Sequence, residues 1–404
     1  MAQGALQGVR VIEIAQEIQG PFAGLLLADL GAEVIKIENC ETGDLARRTT
    51  VGAVSRGEPV PHADFQQYFF MLNRGKRSVT LNLKSEEGKQ ILMRLLGDAD
   101  VLLTNFRPGV LERLGFGYEA LSQRLPRLIY AVASSWGPRG PWARRPSRDM
   151  LAQAASGLMA KTGKDGDQPL PAGMVVADYA GAMTAFSGVL AALYARERTG
   201  QGQRVDVSMY GSMLALQSWE ILQTSLTGRE NHRAGRGHQF LHGVWGAFRT
   251  RDGWVAIAGV EDDRWPRFCK IIGREDLADA PEFDREHRNF KGDKVQAVLD
   301  EIIPTRTTAE WMQDFDAADL FATPVVQYLD VLDSEQAQAN GYIRWVEHPE
   351  HGRFRIVGHP MEFSSTPVRY ADRMPGHGEH TEELLSEHGF GPDDIAALKR
   401  KGIV

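Results

Sequence analysis

Between residues 9 and 137 the chain alternates short β-branched runs with longer, helix-spaced apolar stretches, and this rhythm restricts the fold more than any other feature. VRVIEI (9–14) is a short β-branched run, followed by Gly20 and Pro21. FAGLLLADLG then has the spacing of a buried helix ending at Gly31, and AEVIKIE returns to strand. RSVTLNL (77–83) is a strand, SEEGKQILMRLLGDA (85–99) a helix with a serine cap and an acidic first turn, and DVLLTNF (100–106) a strand again. VLERLGFGYEALSQR is helical and LIYAVASSWG (128–137) closes the series as strand. Repeated β-α-β units predict a parallel sheet. The predicted fold class is therefore α/β: a large domain built on an open doubly wound parallel sheet, plus a smaller α+β domain. Ligands in such sheets sit beyond the carboxyl ends of the strands.

The second half reads differently. MVVADYAGAMTAFSGVLAALYARERTG (174–200) is one long helix rich in small residues, with a basic end and a terminal glycine. GVWGAFRTRDGWVAIAGV (243–260) is a hairpin turning at Asp252-Gly253, and KVQAVLDEII is a short amphipathic helix. FRIVGHPMEF (354–363) brings strand back before a charged, helical C-terminus. The expected division gives 1–200 with 330–404 to the large domain and 225–320 to the small one. Residues 201–224 and 321–329 serve as connectors.

A length of 404 residues is long for one core and supports two domains. The formal charge is -7, which makes nucleic acid or an anionic membrane a poor partner for the chain as a whole. Two cysteines, Cys40 and Cys269, make neither a disulfide framework nor a metal-ligand spacing, which fits a reducing cytoplasm. No signal-peptide layout opens the chain, and its longest apolar runs fall short of the ~20 residues that span a bilayer. Signatures for a phosphate loop, a dinucleotide fold, a zinc site and a hydrolase serine elbow are all missing.

Three stretches could carry chemistry. In LNRGKRSVTLNL (72–83), Arg74, Lys76 and Arg77 stand at the mouth of a strand. In TNFRPGVLERLGFG (104–117), Asn105, Phe106, Arg107 and Arg113 follow a strand end. Cations beside a flat aromatic suit a ligand with phosphates and a purine, although solvated surface charge has the same composition. In PLPAGMVVADYAGAM, Asp178 lies in an otherwise apolar segment, as a reactive acid or as a helix cap.

GPFAGLLLADLGAEVIKIE, NRGKRSVTLNL, TNFRPGVLERLGFGYEAL, PLPAGMVVADYAGAM and ERTGQGQRVDVSMYGSML together resemble the class III CoA-transferases and the related α-methylacyl-CoA racemases. The likeness runs from about residue 9 to the tail. RMPGHGEHTEELL and the SMYGSML block look most like the bacterial carnitine CoA-transferase branch. The resemblance implies an aspartate nucleophile at Asp178 and coenzyme A contacts at Leu81, Asn105, Phe106 and Arg113, with Arg107 beside them. Two basic contacts of the family fall on Asn39 and Pro146 here, with Arg144 and Arg145 near enough to substitute for the second. It also implies coenzyme A and acyl-CoA as substrates, with no tightly bound cofactor and no metal. The implied assembly is a cytoplasmic, interlocked homodimer with the site at its interface.

Transferase and racemase share the fold, so the site must decide between them. The racemase histidine, thirty residues before the acidic partner, falls on Arg148, and no histidine occurs between His62 and His232. Arginine holds its proton up to a pH above ~12 and cannot serve as a base. A transferase needs one nucleophilic carboxylate. By resemblance, Asp178 forms first a mixed anhydride and then an aspartyl-CoA thioester. Each step passes through an oxyanion, so backbone N–H groups near a helix start are expected to face Asp178. GRGHQFLHGVWG (235–246) resembles in place a mobile loop of formyl-CoA transferases, and Glu261 matches an acidic residue of the racemase site. Tyr210, Trp219 and Trp245 could surround a betaine, and Arg148, Arg233 or Arg236 could hold a dicarboxylate. A racemase and a non-catalytic CoA-binding subunit remain as alternatives.

Overall fold

The computed structural model describes residues 4–49, 54–55, 58–59, 65–241, 243–290 and 292–404. These residues form two compact units: Met1–Ser156, Gly173–Ser218 and Glu335–Val404 make the first, Gly157–Ala172 and Trp219–Ser334 the second. The expected large domain ran unbroken from 1 to 200. Residues 157–172 instead join the second unit, where Lys164 and Ala234 form an antiparallel bridge.

The first unit is organised on six strands: β1 Arg10–Ile14, β2 Glu33–Glu38, β3 Arg77–Thr80, β4 Val101–Thr104, β5 Ile129–Ser134 and β6 Arg204–Ser208. All are parallel, in the order β3-β2-β1-β4-β5-β6. The order reverses between β1 and β4, so the crevice for a ligand opens where those two strands end, after Ile14 and Thr104. Helix α1, Gln19–Asp29, begins three residues earlier than FAGLLLADLG suggests and takes in Gly20 and Pro21. Proline is tolerated there because a first-turn N–H has no helical partner. Helix α2, Glu86–Gly97, starts as expected: the Ser85 hydroxyl accepts from the Gly88 N–H at 3.0 Å. VLERLGFGYEALSQR, expected as one helix, is broken in two at Gly115, whose φ of +92° places it in the left-handed region.

Helix α3, Val176–Thr199, ends at Gly200 with φ +72°, as the sequence implies. By length and composition it is apolar enough to cross a membrane, a longer apolar stretch than the sequence reading allowed. Ala182, Ala185, Phe186 and Val189 are buried with Val11, Leu26, Leu103 and Ala131, which is how a core helix packs against a sheet. Gly181 brings α1 and α3 together, since a Cβ there would lie 2.3 Å from the Gln19 amide nitrogen. The C-terminal segment adds an antiparallel pair, Ile343–His348 with Gly352–Val357, and its Ile403 carbonyl accepts from the Asn82 N–H at 2.8 Å.

In the second unit the expected hairpin is Trp245–Arg249 with Trp254–Ala258, and a third strand, Ala322–Pro324, pairs beside it. Phe248, Phe268, Trp311 and Phe315 fill its core.

Candidate active site

Asp178 lies in the first turn of α3 and is half-buried. Val175 precedes the helix and has no side-chain oxygen to cap it. Asp149 does so from a distance: its Oδ1 accepts from the N–H groups of Ala177 at 2.7 Å and Asp178 at 3.1 Å. Asp149 itself opens the short helix Asp149–Ala155 and is only 7% exposed. Asp149 thus occupies two of the N–H groups at the start of α3. The Asp178 carboxylate has no hydrogen-bond partner among the described residues. Burial, then the neighbouring charges of Asp149 and Glu17, push its pKa up to about 7, against a smaller opposing pull from Arg148.

Glu17 is the residue that sequence reasoning missed. It follows β1 in a left-handed conformation, φ +62°, which a non-glycine residue seldom adopts. Its N–H donates to Asp44 Oδ1 at 3.1 Å. Its carboxylate accepts from the Tyr68 hydroxyl at 3.3 Å and faces Arg148 Nη1 at 3.4 Å. Arg148 is 74% exposed, so its guanidinium remains available to a bound acid. No histidine is among the groups that shift Asp178.

Beneath this site is a buried ion cluster. Glu13 and Lys36 are cross-strand partners on β1 and β2, and their side chains meet at 2.9 Å with no exposure. Lys36 also contacts Asp44 at 2.7 Å, while Lys76 reaches the other Glu13 oxygen at 2.7 Å. Lys36 donates to the Ala15 carbonyl and Lys76 to the Pro21 carbonyl, so the two lysines bracket the segment that carries Glu17. Lys76 is therefore not a phosphate ligand. Nor are its neighbours, since Arg74 pairs with buried Asp29 and Arg77 with Glu33 and Glu387. Gly24 permits this arrangement, as a Cβ there would lie 2.0 Å from Glu13 Oε2.

The second stretch fares differently. Asn105 sits at the crevice, but its amide is spent internally: Oδ1 accepts from the Gln16 N–H at 3.0 Å and Nδ2 donates to the Gln16 carbonyl at 2.7 Å. It ties the end of β4 to the end of β1. Leu81 is buried in the core, its N–H bonded to the Glu38 carbonyl, and Phe106 packs partly against the same core. Arg107 and Arg113 are exposed and carry no ion pair among the described residues. Arg113 and Arg144 converge over Gly109, where a Cβ would lie 3.1 Å and 3.8 Å from their guanidinium nitrogens. Gly109, at φ +91°, leaves that space open. Asn39 caps its own turn, accepting from the N–H groups of Glu41 and Thr42.

Glu261 is an exposed residue of the second unit whose carbonyl accepts from the Arg264 N–H. Residues 235–246, apart from residue 242, which is outside the described set, are pinned locally. The Gly235 N–H reaches the Gly163 carbonyl, and His238 stacks on Trp219 with its Nε2 at 2.7 Å from Glu220. Arg233 is committed to the carbonyls of Ala160 and Asp167, and Arg236 to Asp300, so neither is a spare cation for a dicarboxylate. Tyr210 belongs to an aromatic group with Trp136 and Trp142 in the first unit.

A doubly wound sheet, an unpartnered acid at a helix start and converging unpaired arginines mark an enzyme that handles an anionic substrate. The chain matches CoA-transferase family III over residues 6–381, and it belongs to that family. It is 35% identical to an acetyl-CoA:oxalate CoA-transferase of Acetobacter aceti, over 90% of each protein. To a succinyl-CoA:mesaconate CoA-transferase of Haloarcula marismortui it is 35% identical, over 96% of this chain and 97% of the relative. Among solved structures, Rv3272 from M. tuberculosis superposes with a TM-score of 0.83 at 32% identity, covering 95% of this chain and 100% of that one. A CaiB/BaiF family protein from Brucella suis gives 0.82 at 28% identity, over 96% and 100%.

Proposed function

We propose that the chain moves coenzyme A from an acyl-CoA thioester to a free carboxylic acid through covalent intermediates on Asp178. The observation that carries this reading is the Asp178 carboxylate itself: half-buried, without a hydrogen-bond partner among the described residues, and pushed up to about 7. A poorly solvated carboxylate is a stronger nucleophile than one tied up in hydrogen bonds. Its oxygen attacks the thioester carbonyl, the C–S bond breaks, and CoA leaves as thiolate with a mixed anhydride behind. The thiolate then attacks the aspartyl carbonyl and expels the donor acid as carboxylate. The acceptor carboxylate attacks the aspartyl-CoA thioester, and the steps reverse. Over the whole cycle one thioester is exchanged for another, so the exchange needs no nucleotide triphosphate. Acylation also removes the charge of Asp178 from beside Asp149 and Glu17, which favours the covalent state.

With Asn105 and Leu81 turned inward, the phosphate contacts fall to Arg113 and Arg144, with Arg107 beside them. Replacing Arg113 by alanine is expected to raise KM for acyl-CoA about tenfold or more, with kcat little changed, because a charge-assisted bond to phosphate contributes roughly 1.5–3 kcal/mol. Steady-state kinetics check this. Arg148 is the cation placed to receive the acceptor carboxylate. Relatives named for oxalate and mesaconate put a small dicarboxylate ahead of carnitine as that acceptor. The family resemblance supports an interlocked homodimer.

Incubation with acyl-CoA and hydroxylamine, followed by mass spectrometry, tests the reading. The wild-type chain is expected to gain a hydroxamate at Asp178, and an unmodified chain overturns the proposal. Solvent deuterium appearing at the acyl α-carbon without any acceptor acid points to the racemase instead.

A further inference from the structure

Glu17 takes part in no step above, yet the chain is held in an unfavourable conformation to place it. A non-glycine residue at φ +62° persists only where the surroundings fix it. Here they do so on both sides. The Ala15 carbonyl accepts from Lys36 at 2.7 Å, and Gln16 is tied to Asn105 through both its N–H and its carbonyl. The Glu17 N–H donates to Asp44 Oδ1 at 3.1 Å. The carboxylate at the end of this pinned segment meets two groups. The Tyr68 hydroxyl donates to Oε2 at 3.3 Å, and Arg148 Nη1 lies 3.4 Å from Oε1.

These two groups differ in kind. Burial, then the charges of Glu17 and Asp178, push the Tyr68 pKa up, so its hydroxyl keeps its proton and stays a donor. Arg148 is mostly exposed, and an exposed ion pair holds weakly. Glu17 is thus the fixed member of the pair and Arg148 the movable one. Arg148 directly precedes Asp149, whose Oδ1 accepts from the Asp178 N–H at 3.1 Å, and the charges of both Arg148 and Glu17 act on Asp178. The groups that face Asp178 come from four elements. They are Asp149 and Arg148 at the start of helix Asp149–Ala155, Glu17 after β1, Tyr68 of helix Gln67–Asn73, and Tyr179 on α3 itself.

We propose that Glu17 is an internal competitor of the acceptor acid: its carboxylate holds Arg148 in the free enzyme, and the second carboxylate of a dicarboxylic acceptor displaces it. Glu17 thereby sets the affinity for dicarboxylates without touching a reacting atom. The inference rests on Asp178 as the acyl-carrying group and on Arg148 as the cation for the acceptor. A monocarboxylic acid has no second carboxylate to offer, so it leaves the pair closed. Held by Tyr68 and by its own backbone, Glu17 stays in place and takes Arg148 back when the dicarboxylate departs.

Steady-state kinetics of the intact chain test this, with oxalate, succinate and glutarate as acceptors against acetate and butyrate. Glu17→Gln is expected to lower KM for the dicarboxylates roughly two- to fivefold, the range an exposed ion pair spans, and to change KM for the monocarboxylates less. In an Arg148→Ala background the same substitution should lose that effect. Hydroxamate formation from acetyl-CoA gives a readout that a structural role would not move. Its fall at low pH should shift to lower pH in Glu17→Gln, which removes a like charge from beside Asp178, and to higher pH in Arg148→Ala. Glu17→Asp covers a glutamine variant that fails to fold. Aspartate accepts a left-handed backbone more readily and falls one methylene short of Arg148, so the dicarboxylate KM should drop there too. A wild type that uses none of the dicarboxylates overturns the proposal. So does a dicarboxylate KM that fails to fall, that falls equally without Arg148, or that falls no more than the monocarboxylate KM, and so does an unmoved pH profile. Wild type that forms the Asp178 hydroxamate yet fails these tests loses only this inference; wild type that forms none loses the transferase reading.

Discussion

Asp178→Asn is expected to lose CoA transfer by a factor on the order of 10³ or more, and at the same time to unfold less readily than the parent chain. The loss follows from the chemistry, since an amide oxygen cannot form the anhydride and no neighbouring group replaces it. The gain follows from the shifted acid. In the folded chain the carboxyl keeps its proton up to about 7, against 3.8 for the free side chain. Between those values the folded state holds more protons than the unfolded one, so the wild type loses stability as pH rises, and the loss is complete above about 7. Asparagine has the same shape and no charge to lose. The variant's advantage should be near zero at about pH 4 and reach roughly 2–4 kcal/mol at pH 8. Urea unfolding of both chains at the two pH values measures it. The same titration sets the rate of acylation, which should fall as pH drops through about 7 and protonated Asp178 accumulates. An advantage over the wild type that is no larger at pH 8 than at pH 4 removes the argument for a poorly solvated, crowded carboxylate.

Glu13→Gln should be the most damaging single substitution for folding, by about 3–5 kcal/mol in urea unfolding at neutral pH. Glu13 serves two lysines at once, and all three side chains are fully buried. Without its charge Lys36 keeps Asp44, but Lys76 is left with only the Pro21 carbonyl and Asn73. Burial already lowers the Lys76 pKa to about 8 despite Glu13. A lysine whose folded pKa lies below its unfolded value makes stability rise with pH between the two, because the unfolded chain binds more protons there. Losing Glu13 moves the lower bound of that window further down. The deficit of the variant should therefore shrink as pH is raised toward about 8 and stay level above it. Activity should fall as well, since Lys36 and Lys76 fix the carbonyls on either side of Glu17. A deficit that is small and independent of pH shows that the cluster does not hold this segment.

The strand and helix pattern of the first unit was legible because period and length are local properties. VRVIEI, AEVIKIE and VLLT could only be short buried strands, and β-α-β succession leaves few alternatives to a parallel sheet. Asp178 stood out as a charge in an apolar segment, readable as a reactive acid or a helix cap until the family resemblance favoured the first. What the sequence left open was the partner of each charged group. Arg74, Lys76 and Arg77 have the same composition as Arg107 and Arg113, yet the first three turn inward to Asp29, Glu13 and Glu33, while the last two stay free among the described residues.

Asp149, Glu17 and Gly181 could not be picked out for the same reason. Asp149 caps a helix 28 residues further on, and Glu17 meets Tyr68 across 51 positions. Such contacts depend on strand register and helix packing, and no spacing along the chain encodes them. The sequence by itself thus determined the class of fold, the family and the acid at the head of α3. Only the tertiary structure decided what surrounds that acid, because the energy of a buried charge is set by its neighbours in space and not by its neighbours in the chain.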